Sequence, residues 1–197
     1  MNVTTLTRAD LYEQIEKALD VSPRGAKRIG DETILFVPRC LAEGVPVLIQ
    51  YVGTFELRDK PARPVWSDLR GEKKRITLPP RTVVRLGRVK NMQETGPRAA
   101  KRIFMPYLIS IPGVGTPLRA MQVYDIFVEF LRRPLDGDCR IELRGFGVIE
   151  PRIIPKGKVV HNPATGEKGV ISEDRIKLKF KASKNLMPTI EAMRDEG

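Results

Sequence analysis

The chain has 197 residues, 41% hydrophobic content and a net charge of +11, with a pI near 9.9. That much apolar content argues against global disorder, and no window approaches the roughly 18 apolar residues of a membrane-spanning helix. Cys40 and Cys139 lack a CxxC neighbour or a nearby histidine and the N-terminus lacks an apolar leader core, so zinc and export are not expected and the compartment is expected to be the cytoplasm.

Thr7-Arg8-Ala9-Asp10 reads as a helix start, a threonine cap with an acid three residues on. Leu11, Ile15, Ala18 and Leu19 follow at helical spacing. Ser22-Pro23 starts a second helix, with a capping hydroxyl and proline at the first helical position. Ala26, Ile29, Thr33, Ile34, Val37 and Leu41 form its apolar stripe, Pro38 is expected to kink its last turn and Gly44 ends it. The period then shifts towards two: 45–52 and 53–60 read as antiparallel strands. Residues 61–74 combine prolines, a glycine and many charges, and read as an extended, exposed excursion. Residues 75–78 and 82–86 return to strand, and 89–93 read as a short closing helix.

Gly96-Pro97 is the expected domain boundary. Residues 98–109 read as an irregular helix that Pro106 interrupts. Thr116-Pro117 is again a cap followed by proline. The stripe of this helix is Leu118, Met121, Tyr124, Phe127, Val128 and Leu131; Val123, Ile126 and Phe130 make other faces apolar too. Such a helix is expected to be buried on more than one side, at an interface between two halves. Strands are expected at 139–144 and 147–154, a second excursion at 155–169, and a strictly alternating strand at 176–181.

The chain repeats itself. Gly53, Glu56 and Arg58 recur as Gly147, Glu150 and Arg152, with Phe55 matched by Ile149; Gly71-Glu72 recurs as Gly166-Glu167 with one extra residue between. Such a period is too long for a solenoid and fits two copies of one small domain. The charge repeats with it. From Gly53 to Lys90 there are 11 Lys/Arg against 4 Asp/Glu; from Arg144 to Lys184 there are 10 against 4. These stretches are net +7 and +6, which leaves the rest of the chain slightly acidic. A positive surface built twice is the footprint of a polyanion binder; the plainer reading is a solvated basic face.

This order of elements, with these motifs, resembles the HU/IHF family of bacterial histone-like DNA-binding proteins. The second copy carries Gly145-Phe146-Gly147, then Ile149-Glu150 and Arg152, the run His161-Asn162-Pro163-Ala164-Thr165-Gly166-Glu167, and Phe180-Lys181-Ala182-Ser183-Lys184. The first carries Gly53-Thr54-Phe55-Glu56-Leu57-Arg58, then Ala62-Arg63, Gly71-Glu72 and Leu86-Gly87-Arg88. The resemblance implies an α+β fold of two HU/IHF-like domains, residues 1–95 and 98–197. Each would have two helices and a three-stranded antiparallel sheet with a protruding β-hairpin arm. The family usually has one domain per chain and works as a dimer, so the two copies are expected to pack as a pseudo-dimer in a monomeric chain. The family's arms insert a tip proline from the minor groove and bend the duplex. Pro163 matches that proline, although His161 stands where arginine is usual. The first copy has Asp68 at the matching place, so the arms are expected to be unequal.

The residues expected to meet DNA follow from these placements. Arg58, Lys60, Arg63, Arg70, Lys73, Lys74 and Arg75 crowd the first arm, and Arg81, Arg85 and Arg88 the strand after it. Arg152, Lys156, Lys158 and Lys168 serve the second arm, with His161, Asn162 and Pro163 at its tip and Lys184 beyond it. Their expected work is phosphate neutralisation and minor-groove contact. Pro163 is either a wedge or an ordinary Asn-Pro turn. Trp66, the single tryptophan, either stacks on bases or folds back as a core residue. Lys177, Lys179 and Lys181 alternate with Ile176, Leu178 and Phe180. Same-face neighbours on a strand lie about 6.6–7 Å apart, close to the phosphate spacing along one DNA strand. The competing reading is an edge strand that uses lysine against aggregation. No catalytic set, metal cluster or phosphate-cradling loop is evident, so neither an enzyme nor a cofactor is expected. The expected function is an architectural, nucleoid-associated protein that clamps and bends duplex DNA with low specificity. A scaffold for protein partners and an RNA-binding protein are the alternatives.

Overall fold

In the computed structural model, a strand from the N-terminus of the chain is built into the sheet of the second copy. The structure describes residues 4–69, 72–87, 101–161, 166 and 168–196; for 67–69, 72–74 and 161 it describes the backbone alone. β1 (Thr4–Thr7) runs parallel to β7 (Cys139–Leu143), with Thr4 opposite Cys139 and Thr7 opposite Glu142. Four residues are too few to carry a period, and the partner lies in the other copy, so sequence patterning gives no sign of this strand.

Helix α1 (Arg8–Leu19) starts where the cap was expected: the Thr7 N–H donates to the Asp10 carboxylate at 2.6 Å. In α2 (Pro23–Ala42) the Ser22 hydroxyl accepts from the Gly25 N–H at 3.2 Å, and Pro23 occupies a position whose N–H would have no helical partner. The strand expected over 45–52 is shorter, since only Val47–Ile49 (β2) pairs, ahead of a turn over residues 50–52. β3 (Gly53–Lys60) and β6 (Arg81–Gly87) complete the first sheet, in the order β2-β3-β6. Between them β4 (Arg63–Leu69) and β5 (Glu72–Leu78) form the first arm, a two-stranded ribbon that gives the expected protruding hairpin and pairs much of the stretch read as an extended excursion. Lys60↔Arg81 is the last pair of the sheet and Arg63↔Leu78 the first of the arm. Pro61 and Pro79-Pro80 sit at that joint, where their missing N–H groups interrupt the ladder.

The closing helix at 89–93 and the boundary at Gly96-Pro97 lie outside the described residues. In the second copy α3 (Lys101–Ser110) contains Pro106, and α4 (Pro117–Arg132) starts at Thr116, whose hydroxyl accepts from the Arg119 N–H. A 3₁₀ turn, Arg133–Asp136, leads into β7, β8 (Gly147–Ile154) and β11 (Arg175–Ala182), giving the sheet order β1-β7-β8-β11. β9 (Val159–His161) and β10 (Lys168–Val170) are the paired part of the second arm. A terminal helix, α5 (Leu186–Asp195), escaped the sequence reading; it lies against α2, with the Arg194 side chain donating to the Ala42 carbonyl at 3.2 Å.

One core serves both copies. Phe36 of α2 stacks on Phe104 of α3 at 3.9 Å, and Phe104 meets Tyr124 and Phe127 of α4 edge-on. At the sheet end, Phe55 of the first copy meets Phe146 and Phe180 of the second at 5.5 and 5.2 Å. Tyr124, Phe127, Val128 and Leu131 of the expected α4 stripe are buried, as are Val123 and Phe130 on its other faces, whereas Leu118 and Met121 of that stripe are exposed. Polar bonds fix the pairing of the copies: Arg8, held by Asp31 of its own copy, donates to the Arg144 carbonyl, Arg28 to the Pro112 carbonyl, and the Tyr107 hydroxyl to the Glu32 carboxylate at 2.8 Å. Cys40 and Cys139 are buried free thiols, and burial pushes Cys40 up to about 11.

The internal repeat is structural. Gly53 and Gly147 both begin the first long strand after a turn, at φ +140° and +153°. A Cβ at Gly53 would lie 2.3 Å from the Gly87 carbonyl oxygen, and one at Gly147 2.5 Å from that of Lys181. Each position therefore admits only glycine, for both conformation and space.

Candidate nucleic-acid interface

β6 and β11 are edge strands of the two sheets, and they come together beside the roots of the two arms. A groove of about 710 Å³ runs there, lined from the first copy by Arg58, Lys60 and Arg85 and from the second by Arg152, Lys177 and Lys179. Its apolar lining is Val83, Val84, Leu86, Leu178 and Phe180; Phe180 also packs on Phe55, so the groove floor is the outer side of the joint core. Alternation places the side chains: along β11, Leu178 and Phe180 pack onto the core, which sends the lysines between them the other way.

The register sets cations opposite cations. Arg152 faces Lys177 across β8 and β11, and Lys60 faces Arg81 across β3 and β6. Like charges directly opposite one another destabilise a sheet pair. Among the described residues, Arg58, Lys60, Arg85, Arg152 and Lys177 enter no ion pair. Two expected lysines are different. Glu150, opposite Lys179 in the register, binds Lys179 at 3.0 Å and Lys181 at 2.9 Å. The hydrogen bonds from Lys181 and then Lys179 hold the Glu150 carboxyl below its ordinary range. The lysine row of β11 is thus one free cation and two held by a carboxylate. Asp59, the other acid at the groove, accepts from the Thr82 hydroxyl at 2.6 Å.

The arms carry the remaining expected residues. Arg63 and Trp66 on β4 and Arg75 on β5 are exposed. Trp66 is 73% exposed and stands opposite Arg75, which removes the reading in which it folds back as a core residue. Lys73 and Lys74 lie on β5, with their side chains outside the described residues, as is the side chain of Asp68 on β4. On the second arm Lys156, Lys158 and Lys168 are exposed and His161 ends β9. Arg70, Arg88, Asn162 and Pro163 lie outside the described residues. Arg81 lines an adjoining hollow with Lys60 and Asp59. Lys184 is exposed in the turn before α5 and does not line the groove.

Sequence reasoning missed three features. Ile153, Val159, Val160 and Val170 are exposed apolar residues on and beside the second arm. Glu150 clamps two lysines, a role that only the β8–β11 register reveals. Tyr51 stands exposed at a second, smaller hollow next to the groove.

The description of the bacterial DNA-binding protein family matches residues 6–95 and again residues 113–191. The chain belongs to this family. It holds two tandem copies of the family's domain, HU/IHF-like in fold, in one polypeptide. The integration host factor subunit alpha of Alkalilimnicola ehrlichii is 34% identical over 79 residues, 40% of this chain and 76% of the relative. DNA-binding protein HU of Thermus thermophilus is 33% identical over 75 residues, 38% of this chain and 75% of the relative. Among solved structures, an Anabaena HU–DNA cocrystal contributes a chain 25% identical, matched over 38% of this chain and 79% of that one, with a TM-score of 0.31. Each of these relatives matches less than half of this chain, whereas the family description fits it twice.

Proposed function

We propose that this family member is an architectural DNA-binding protein whose two domains, residues 1–95 and 98–197, are the two jaws of one clamp. The clamp holds duplex DNA in the groove between the sheets, passes its arms along the minor groove and bends the duplex. The observation that carries this reading is the pooling of unpaired cations from both copies in one groove at the arm roots. Placing such charges side by side costs stability in the free chain and is relieved by a polyanion. Phosphates, rather than base edges, would be the main partners of these side chains, so sequence preference would be low. The relatives' names agree in kind, one being called a DNA-binding protein.

The proposed contacts divide by place. Arg58, Lys60, Arg81, Arg85, Arg152 and Lys177 neutralise phosphates at the floor. Arg63, Arg75, Lys156, Lys158 and Lys168, with Arg70, Lys73 and Lys74 from the sequence, follow the backbone along the arms, and Arg88, next in sequence after β6, is a further phosphate contact. Trp66 offers an exposed aromatic face to bases, and Pro163, between Asn162 and Ala164, is the proposed wedge of the second arm. Lys179 and Lys181 contribute less, because Glu150 competes for them. Such a protein would work on the nucleoid, in the bacterial cytoplasm, with duplex DNA as its partner.

Gel shifts across a salt series with straight duplex, kinked duplex and structured RNA test this. Six floor cations predict a log–log salt slope of about −5 or steeper, at roughly −0.9 per phosphate neutralised. Kinked duplex should bind more tightly than straight duplex. Salt-independent binding, or a preference for RNA, would overturn the proposal.

A further inference from the structure

Building on the DNA-binding reading, we propose that Tyr51 is a DNA contact that continues the basic groove onto the flank of the first copy and makes the two flanks grip the duplex differently. Tyr51 lies in the β2–β3 turn at φ +64°, a left-handed conformation that tyrosine rarely adopts. The same place in the second copy, two residues before the matching glycine, is Gly145, at φ +82°. The turn is thus suited to glycine, and one copy holds a large side chain there against the backbone preference. Packing does not account for it, since the residue is 62% exposed. Residues kept in disfavoured backbone conformations concentrate at functional positions.

Its surroundings point to the ligand. Tyr51 lines a hollow of about 250 Å³ together with Leu86, Leu135, Ile176, Lys177 and Leu178. Leu86, Lys177 and Leu178 also line the main groove, so the hollow is its continuation past the unpaired Lys177 ammonium. A duplex seated on Lys177 and leaving the groove on this side would run over Tyr51. A phenol suits that position: its ring covers a deoxyribose while its hydroxyl donates to a phosphate. At the matching place on the opposite flank there is no side chain, and the exposed residue beside it is Arg144. Beside Gly145, the Arg8 guanidinium is already committed to the Arg144 carbonyl at 2.6 Å and to Asp31. The bound duplex would therefore have a tyrosine side and a glycine side.

The test compares Tyr51→Asn and Tyr51→Phe with the parent by duplex binding, hydroxyl-radical footprinting and thermal unfolding. Asparagine tolerates the left-handed turn, so Tyr51→Asn should unfold no earlier than the parent. It should bind duplex about fivefold more weakly, as expected for one lost hydrogen bond and its packing. Its footprint should retract at one end only. Tyr51→Phe should keep the ring's share of protection and lose the hydroxyl's share of affinity. Parent-like affinity and footprint in Tyr51→Asn would overturn the inference, as would a lowered unfolding midpoint with unchanged affinity, which would make Tyr51 a packing residue. A parent chain that binds no duplex would remove the DNA reading itself, and this inference with it.

Discussion

Glu150 governs how much of the β11 lysine row is available to a polyanion. It holds Lys179 and Lys181, and each bond must loosen before its ammonium can neutralise a phosphate. Replacing it by glutamine keeps the shape and removes the charge. Glu150→Gln is therefore predicted to bind duplex more tightly at low salt, and to steepen the log–log salt slope by about one to two phosphate equivalents. Filter binding over a salt series measures both. The same residue gives a pH signature. A carboxyl whose folded value is depressed stabilises the fold above its unfolded value of about 4.3 and loses that contribution as pH falls through the lower folded value. Parent and Glu150→Gln should thus differ in urea unfolding at neutral pH and converge in acid. The cations themselves were legible in the sequence, because their types and positions need no partner to be seen. Their pairing was not: Lys179 faces Glu150 only because of a strand register set some thirty residues apart. Trp66 was legible as a residue of interest, and its exposure had to come from the structure.

At the level of elements, the long strands and the helix starts were readable because each rests on local chemistry. Ser22-Pro23 and Thr116-Pro117 cap their helices, and Gly53 and Gly147 open β3 and β8 at the expected residues. β1 and α5 were not readable. The first is four residues paired with a strand of the other copy, and the second is a short helix held by docking on α2. The dependence of β8 on Gly147 is testable. Gly147→Ala forces a Cβ against the Lys181 carbonyl in a backbone region closed to alanine. It is predicted to lose at least about 2 kcal/mol in chemical denaturation. The arm tips differ in chemistry. Pro163 is apolar, rigid and without an N–H that needs a partner, whereas Asp68 at the matching place of the first arm would repel phosphates. Pro163→Ala should reduce bending and the preference for kinked duplex while leaving most non-specific affinity, and Asp68→Ala should leave bending unchanged. Cyclisation of short duplexes distinguishes the two, and equal bending by parent and Pro163→Ala would remove the wedge.

For the whole molecule, the decisive feature is that one chain supplies both halves of the core. Phe36 needs Phe104, and Phe55 needs Phe146 and Phe180, each across the boundary between copies. Folding is then intramolecular, so the unfolding midpoint should not change with protein concentration, unlike that of an obligate dimer. Linking the halves also frees each to diverge, which is how Asp68 and Pro163, or Tyr51 and Gly145, can occupy matching places in one protein. One chain should suffice to clamp and bend a duplex. Fluorescence energy transfer between the ends of a labelled duplex, titrated with protein well above the dissociation constant, tests it most directly. Transfer should rise and reach its plateau at one 22.2 kDa chain per duplex. A duplex that stays straight when fully bound, or a plateau reached only at two chains, would show that one chain is not a bending clamp.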